Sequence, residues 1–343
     1  GASGFLASHI IYQLLQSGYR VRATARGKKV GALKELYGAH PAIEIVEVPD
    51  IVHSKFDDAF VGVDAVVHTA APLPARVDPE TMLNTAIEGS LNVLCQAEKA
   101  GIKKFVVTSS TAAIHGDPET KGIDVCRGVD WNPIEKEEIN ADTDPVIAYV
   151  AAKALSERAV WEWAEAHPHV DVTTIDPIYN YGPFAPLTLR LAPGDFTGFS
   201  TNLFIYNLVT PPGQHLPGLT FIDVRDAARA HVGALSNAPV AAGARKRAIL
   251  TSPHGLNERQ VLDMYRKERP EVAERLVGGP GVVYEFDRYD LDFVEIESFT
   301  GMKKSDYHTT EQTFLDALDS VLEIEKDWKA RGFVVKNIPL MQG

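Results

Sequence analysis

The 343-residue sequence predicts an α/β fold, a doubly wound parallel sheet with a smaller C-terminal lobe. Three observations carry that prediction. Short runs rich in Val, Ile and Ala recur at 19–25, 43–48, 64–69, 104–109 and 170–175. Helix-forming stretches with apolar residues three and four apart separate them. A glycine-spaced turn opens the first of those helices. Strands and helices that alternate in this way build a parallel sheet from right-handed βαβ units and cover both of its faces.

The opening turn is Gly1-Ala2-Ser3-Gly4-Phe5-Leu6-Ala7, with the spacing G-x-x-G-x-x-A. Glycines let the backbone approach a pyrophosphate, and the helix N-terminus offers free N–H groups and a positive dipole end. Phe5, Ile10, Leu14 and Leu15 supply the buried stripe of that helix, and Gly18 ends it. A glycine turn before a helix is also common for structural reasons alone. Because such a turn follows a buried strand, an apolar strand is expected before Gly1.

The next strand runs from Tyr19 to Arg26, and its end selects a cofactor. An acidic residue there would bond the adenosine ribose hydroxyls of NAD. Arg26 stands there instead, with Lys28 and Lys29 beyond it, and cations suit the 2′-phosphate of NADP. A solvated basic turn is the plainer alternative. The strand at 43–48 leads to Pro49-Asp50-Ile51, where Asp50 either accepts from an adenine amino group or caps a helix. The strand at 64–69 runs into Ala70-Ala71-Pro72, small enough for a cofactor to lie against the backbone. His68 in that strand reads as a packed core histidine. A long helix over 78–100 carries Asn84, Gly89 and Asn92. The strand that follows ends in Thr108-Ser109-Ser110-Thr111. Strand carboxyl ends face the ligand crevice of an open parallel sheet, so a serine there can bond a carbonyl oxygen, although Ser and Thr also favour strand ends as turn residues. Residues 115–146 read as a long loop.

Tyr149 and Lys153 sit four apart in a stretch of helix-forming composition, on one helical face. The ammonium is expected to favour phenolate over phenol and to lower the Tyr149 pKa toward working pH. After the strand at 170–175, which ends in Asp176-Pro177-Ile178, the composition shifts. Residues 184–220 mix Pro and Gly with Phe184, Phe196, Phe199, Phe204 and Tyr206, which suits either a pocket wall or packing within a second lobe. A helix is expected over 227–235 with Asp226 as its N-cap, then a strand at 246–252 and helices at 257–267 and 309–331. The expected division is a dinucleotide-binding domain over 1–176, with 221–253 and 305–335 packing back onto it, and a substrate lobe from 177–220 and 254–304.

Composition narrows the function. The net charge of −12, from 34 basic and 46 acidic residues, argues against nucleic acid as a partner. No apolar run is long enough to span a bilayer. Cys95 and Cys126 give neither a disulfide framework nor metal-ligand spacing, so no metal is expected and a reducing cytoplasm fits best.

As an ordered set, these blocks resemble the extended short-chain dehydrogenase/reductases. The resemblance is strongest to the branch of dihydroflavonol reductase, cinnamoyl-CoA reductase and the yeast methylglyoxal and carbonyl reductases. It rests on Gly1–His9, Arg22–Arg26, Phe105–Ser110, Tyr149–Glu157 and Phe221–Asp226, and spans roughly residues 1–330. The resemblance implies a Rossmann-type fold, bound NADP(H) and reduction of a small apolar or aromatic aldehyde or ketone, by a monomer or homodimer. Ser110 would bond the carbonyl oxygen and Tyr149 would donate the proton. Lys153 would bond the nicotinamide ribose. Gly1, Ser3, Gly4, Phe5 and Leu6 would surround the pyrophosphate, and Arg26 with Lys29 or Lys28 the 2′-phosphate. Asp50 and Ile51 would flank adenine, while Thr69, Ala70, Ala71, Pro72 and Thr108 would line the cofactor. Pro177 and Ile178 would place the nicotinamide amide through the backbone. The stretch Asp176–Tyr181 departs from the usual family sequence. Two other functions fit the fold: a nucleotide-sugar epimerase or dehydratase, and a non-catalytic NADPH sensor.

Overall fold

The computed structural model describes residues 1–38, 40–74, 76–114, 126–218, 220–239, 244–279, 281, 289–336 and 338–340. The elements run α1 (Phe5–Gln16), β1 (Val21–Ala25), α2 (Lys28–Tyr37), β2 (Ile43–Glu47), α3 (Asp57–Phe60), β3 (Ala65–His68), α4 (Pro79–Lys99) and β4 (Lys104–Thr108). They continue with α5 (Pro145–Ala166), β5 (Asp171–Pro177), β6 (Asn180–Tyr181), α6 (Asn202–Leu208), β7 (Ile222–Asp223), α7 (Val224–Ala234), β8 (Lys246–Leu250), α8 (Glu258–Glu268), α9 (Phe293–Thr300) and α10 (Thr310–Ala330).

Every strand pair is parallel. The five strands expected in one sheet fall into two hydrogen-bonded pieces, β1–β2 and β3–β4–β5–β8. Gly1 and Ala2 sit between these pieces. Ala2 donates to the Thr24 carbonyl in β1 at 3.1 Å, and a Cβ on Gly1 would come within 2.7 Å of the Thr69 hydroxyl just past β3. The nucleotide turn therefore lies where the carboxyl ends of β1 and β3 converge.

Side-chain alternation decides which helix covers which face. In β4, Phe105 and Val107 point to the face covered by α4 and α5, where Leu94, Trp161 and Trp163 meet them. Val106 points the other way, toward Ala227 and Ala230 of α7 and Phe299 of α9. On β1–β2, Val30, Leu33 and Tyr37 of α2 bury Ala23, Ala25 and Ile45. The two long helices start alike. Asp78 and Asp144 are the N-caps of α4 and α5, each followed by Pro at the first helical position. The cap of α7 is Asp223, which accepts from the Arg225 N–H at 2.8 Å, and not the expected Asp226. Asp226 lies inside the first turn and accepts from the main chain and ring of His308, both at 2.7 Å.

The helices of the C-terminal part pack in two places. Helix α10 does not return to the sheet. Its Phe314, Leu318 and Val321 join Phe199, Phe204 and Tyr206 from the aromatic segment and Leu262 and Tyr265 from α8 in one core. Conversely α9, expected in the second lobe, packs its Ile296 and Phe299 on α7 and β8. An amphipathic helix shows one apolar face in sequence and leaves its partner unnamed. Of the expected loop at 115–146, residues 115–125 lie outside the described residues. The remainder holds a bridge from Cys126 to Tyr289 and a short 3₁₀ turn at Lys136–Glu138.

Candidate active site

Helix α5 lines up three chemically active side chains at one-turn intervals, Tyr149, Lys153 and Glu157, toward the carboxyl ends of β4 and β5. Ser110, one residue past Ser109 at the end of β4, lies close enough to the Tyr149 hydroxyl to lower its pKa. Its Oγ also accepts from the Ala112 N–H at 3.2 Å, which fixes the hydroxyl at the start of a 3₁₀ turn. Lys153 is buried. Its Nζ lies 6.0 Å from the Tyr149 ring centre and donates to the Thr108 carbonyl at 3.3 Å. Ala70, Ala71, Pro72 and Thr108 line the same cavity as Tyr149 and Lys153. The expected serine, tyrosine and lysine do come together.

Their electrostatics correct one expectation. Burial pushes the Tyr149 phenol up to about 12, and the nearby Tyr179 adds to that; the Ser110 hydroxyl works in the opposite direction without reversing it. Desolvation of the phenolate outweighs any help from the lysine. Lys153 is itself drawn down to about 8 by burial, against the charges of Asp176 and Glu157. At neutral pH the proton stays on Tyr149.

The cofactor side can be tested residue by residue. The N-terminus of α1 has no side-chain cap and no acidic residue in its first turn, so its N–H groups are free for an anion. Gly1 is packed so closely on Thr69 and Ala70 that a side chain there would fill the cradle. Ser3, Gly4, Phe5 and Leu6 follow on the same turn. Arg26 and Lys29 are exposed past the end of β1 and make no ion pair among the described residues. Both lie near enough to Gly1 that their charges are felt at its backbone. These residues fit a dinucleotide bearing an extra phosphate.

Other sites are more engaged than expected. Asp50 accepts from the Val52 N–H at 2.8 Å and sits 2.9 Å from the His53 ring, so it closes its own turn and caps no helix. Ile51 is pinned beneath α4. Asn92 donates to its carbonyl at 2.9 Å, and Gly89 leaves its side chain room where a Cβ would approach to 2.8 Å. Pro177 is buried at the end of β5. The Ile178 N–H donates to Leu250 and its carbonyl accepts from Asn180, so both main-chain groups are taken within the protein. His68 is the expected core histidine, bonded to Ser90 at 3.2 Å and lowered to about 3 by burial.

A family model described as the NAD dependent epimerase/dehydratase family matches residues 1–244. The chain belongs to that family. Among its relatives, an uncharacterized oxidoreductase of Schizosaccharomyces pombe is 31% identical over 341 residues, covering 96% of this chain and 97% of its own. Cinnamoyl-CoA reductase 1 of Petunia hybrida is 29% identical over 325 residues, 90% and 89% of the two chains. The crystal structure of yeast methylglyoxal/isovaleraldehyde reductase Gre2 complexed with NADPH superposes with a TM-score of 0.79 at 27% identity, covering 95% of this chain and 98% of that one.

This family member also carries functional neighbours that sequence reasoning missed. His231 of α7 bonds the Thr108 hydroxyl through Nε2 at 2.7 Å. Its Nδ1 lies 2.7 Å from the Ala227 carbonyl, which can only accept. Burial lowers His231 to about 4, so the ring is neutral and Thr108 donates to it. Behind Lys153, Glu157 accepts from Ser109, Thr174 and Arg247 at 2.7, 2.9 and 2.9 Å. In sequence a Glu on a helix and an Arg on a strand look solvated. The only available signal was that Glu157 follows Lys153 by one helical turn.

Proposed function

We propose that this family member is an NADPH-dependent reductase of aldehydes and ketones. The observation that carries the reading is that Tyr149 and Lys153 line one cavity, with Ser110 beside Tyr149, and that Arg26 and Lys29 follow the end of β1. The named activities of its reductase relatives support it. NADPH, when bound, supplies the hydride. As the carbonyl oxygen gains negative charge, the Tyr149 hydroxyl donates its proton to it, and Ser110 offers a second, fixed donor. Lys153, in its charged form, stabilises the tyrosinate left behind. Residues 1–176 with 221–253 form the cofactor half in this reading, and 177–220 with α8 and α10 the substrate lobe. The lobe reaches the site through Tyr179, close enough to Tyr149 to add to the rise of its pKa, and Phe184, which meets Phe5 of the nucleotide turn at 5.2 Å. Aromatic walls of this kind favour a small apolar or aromatic carbonyl over a nucleotide sugar. Cys95 and Cys126 form no disulfide among the described residues, which suits a reducing compartment.

The test is NADPH oxidation against a panel of aliphatic and aromatic aldehydes and ketones. Tyr149→Phe should lower kcat by roughly 10²–10⁴-fold and leave NADPH affinity nearly intact, the range that general acid catalysis supplies. Ser110→Ala should act in the same sense and less severely, whereas Lys153→Ala should damage both rate and cofactor binding. Near-normal turnover by Tyr149→Phe would place the acid elsewhere. Tightly retained NAD after purification would favour an epimerase.

A further inference from the structure

Tyr149 and Ser110 reach the site from different elements, one from helix α5 and the other from the turn past β4. Their register depends on what ties that turn to the helix. Ser110 is extended and opens the 3₁₀ turn Thr111–Ala113. The turn is held on both sides of it. Ser109 donates to Glu157, two turns along α5 from Tyr149, at 2.7 Å. The Ala113 carbonyl accepts from Arg247 Nη2 at 3.1 Å and from the Asn132 N–H at 3.0 Å. The Ala112 carbonyl accepts from Asn132 Nδ2 at 2.9 Å.

Arg247 of β8 joins these ties. It forms a buried ion pair with Glu157, with Nε 2.9 Å and Nη2 3.4 Å from the carboxylate. Its Nη1 donates to the Gly128 carbonyl at 3.0 Å and to the Asp130 carbonyl. The guanidinium also lies on the Trp131 ring, 3.8 Å from its centre. A buried ion pair is no better for stability than apolar packing of similar volume. What this one supplies is direction, because a rigid planar fork reaches both ends of the Ser110 turn at once.

We propose that Arg247 is a positioning residue for Ser110: through Glu157 on one side and the Ala113 carbonyl on the other, its guanidinium holds the Ser110 turn against helix α5 and keeps that hydroxyl beside Tyr149. Arg247 lies outside the lining of the cavity that Tyr149 and Lys153 share, so it acts through the turn. A lysine at 247 keeps the charge beside Glu157. Its ammonium donates from a single point and cannot span from Glu157 to the Ala113 carbonyl.

The chemical use of this placement rests on the reductase reading, whereas the placement itself is measured without turnover. The Ala113 and Ile114 N–H groups donate within the turn at 2.9 and 3.0 Å, and their hydrogen exchange in the full chain is followed by mass spectrometry. Exchange there should quicken about tenfold or more in Arg247→Lys as the turn opens locally. Helix α10, which packs in a separate core, should be unchanged. Unaltered exchange at 113–114 in the folded variant would overturn the proposal. In turnover, Arg247→Lys should lower kcat about tenfold, the kind of loss a small misplacement causes, and leave NADPH affinity within about twofold. In a Ser110→Ala background the same substitution should cost less than about twofold more. An equal loss in both backgrounds would show that Arg247 does not act through Ser110 and would likewise overturn it. If the wild type reduced no carbonyl, the reductase reading would fail while the exchange measurement still decided this one. Should Arg247→Lys not fold, Arg247→Met combined with Glu157→Gln removes both charges together and leaves no buried ion unpaired, and the same quickening is expected of it.

Discussion

Arg26 closes β1 with an exposed guanidinium, and the neighbouring Lys29 joins it around the glycine turn. Two cations beside a site that a dinucleotide fits are worth more to a 2′-phosphate than to a ribose hydroxyl, because a hydrogen bond to a charged group is the stronger kind. Arg26→Ala should therefore weaken NADPH binding by roughly tenfold or more, the equivalent of about 1.5–3 kcal/mol, and spare NADH. Titration of both cofactors against both proteins checks this, and equal wild-type affinities for NADPH and NADH would count against the assignment. At this scale residue type and spacing already put Arg26 past a strand end, Ser110 at the end of β4, and Tyr149 and Lys153 on one helical face. The sequence was silent where burial decides. The phenol of Tyr149 moves up rather than down because its surroundings are dry, and dryness belongs to the assembled fold.

Helix α5 carries Tyr149, the proposed proton donor, one turn from its start, so its N-terminal cap reaches that side chain. Asp144 accepts from the N–H groups of Val146 and Ile147 at 2.8 and 3.4 Å, and Pro145 pre-sets the first turn. Asp144→Ala should cost about 1 kcal/mol, within the range of such caps, read as a lower urea midpoint with an unchanged slope. An unchanged midpoint would mean that water satisfies those groups equally well. Elements of this sort were legible in advance: the strand positions, α4, α8 and α10 stand within a residue or two of where apolar period and turn residues put them. What the pattern could not name was each helix's partner. The apolar stripe of α10 suits the sheet and the second lobe equally, and the aromatic cluster around Phe199 and Tyr206 settles it.

Across the whole molecule, buried titratable groups set how the fold responds to acid, and they do not all act in one direction. His68 and His231 are held neutral, lowered to about 3 and about 4 from an ordinary 6.5. The unfolded chain takes up those protons below pH 6.5 while the native state refuses them, so stability present above that pH is lost as pH falls toward the native values. Each histidine should remove about 1.4 kcal/mol per pH unit in that window, so roughly 2 kcal/mol apiece by pH 5. Asp176 has the opposite sign. Its native carboxyl keeps a proton that the unfolded chain has already lost, so its contribution falls as pH rises above the ordinary carboxylate range and recovers on acidification. Glu157, held below the usual range by Arg247 against the penalty of burial, changes nothing between pH 7 and 5, because it is ionised natively throughout. The wild type should thus lose stability from pH 7 to pH 5, with Asp176 offsetting part of the histidine loss. Asp176→Asn removes that offset. It should be more stable than the wild type at pH 7 and lose stability more steeply toward pH 5, as read from urea midpoints at three or four pH values. A variant less stable at pH 7 with a wild-type slope would show that Asp176 is tied into the fold by bonds of its own, and that its charge is not held there at the expense of stability.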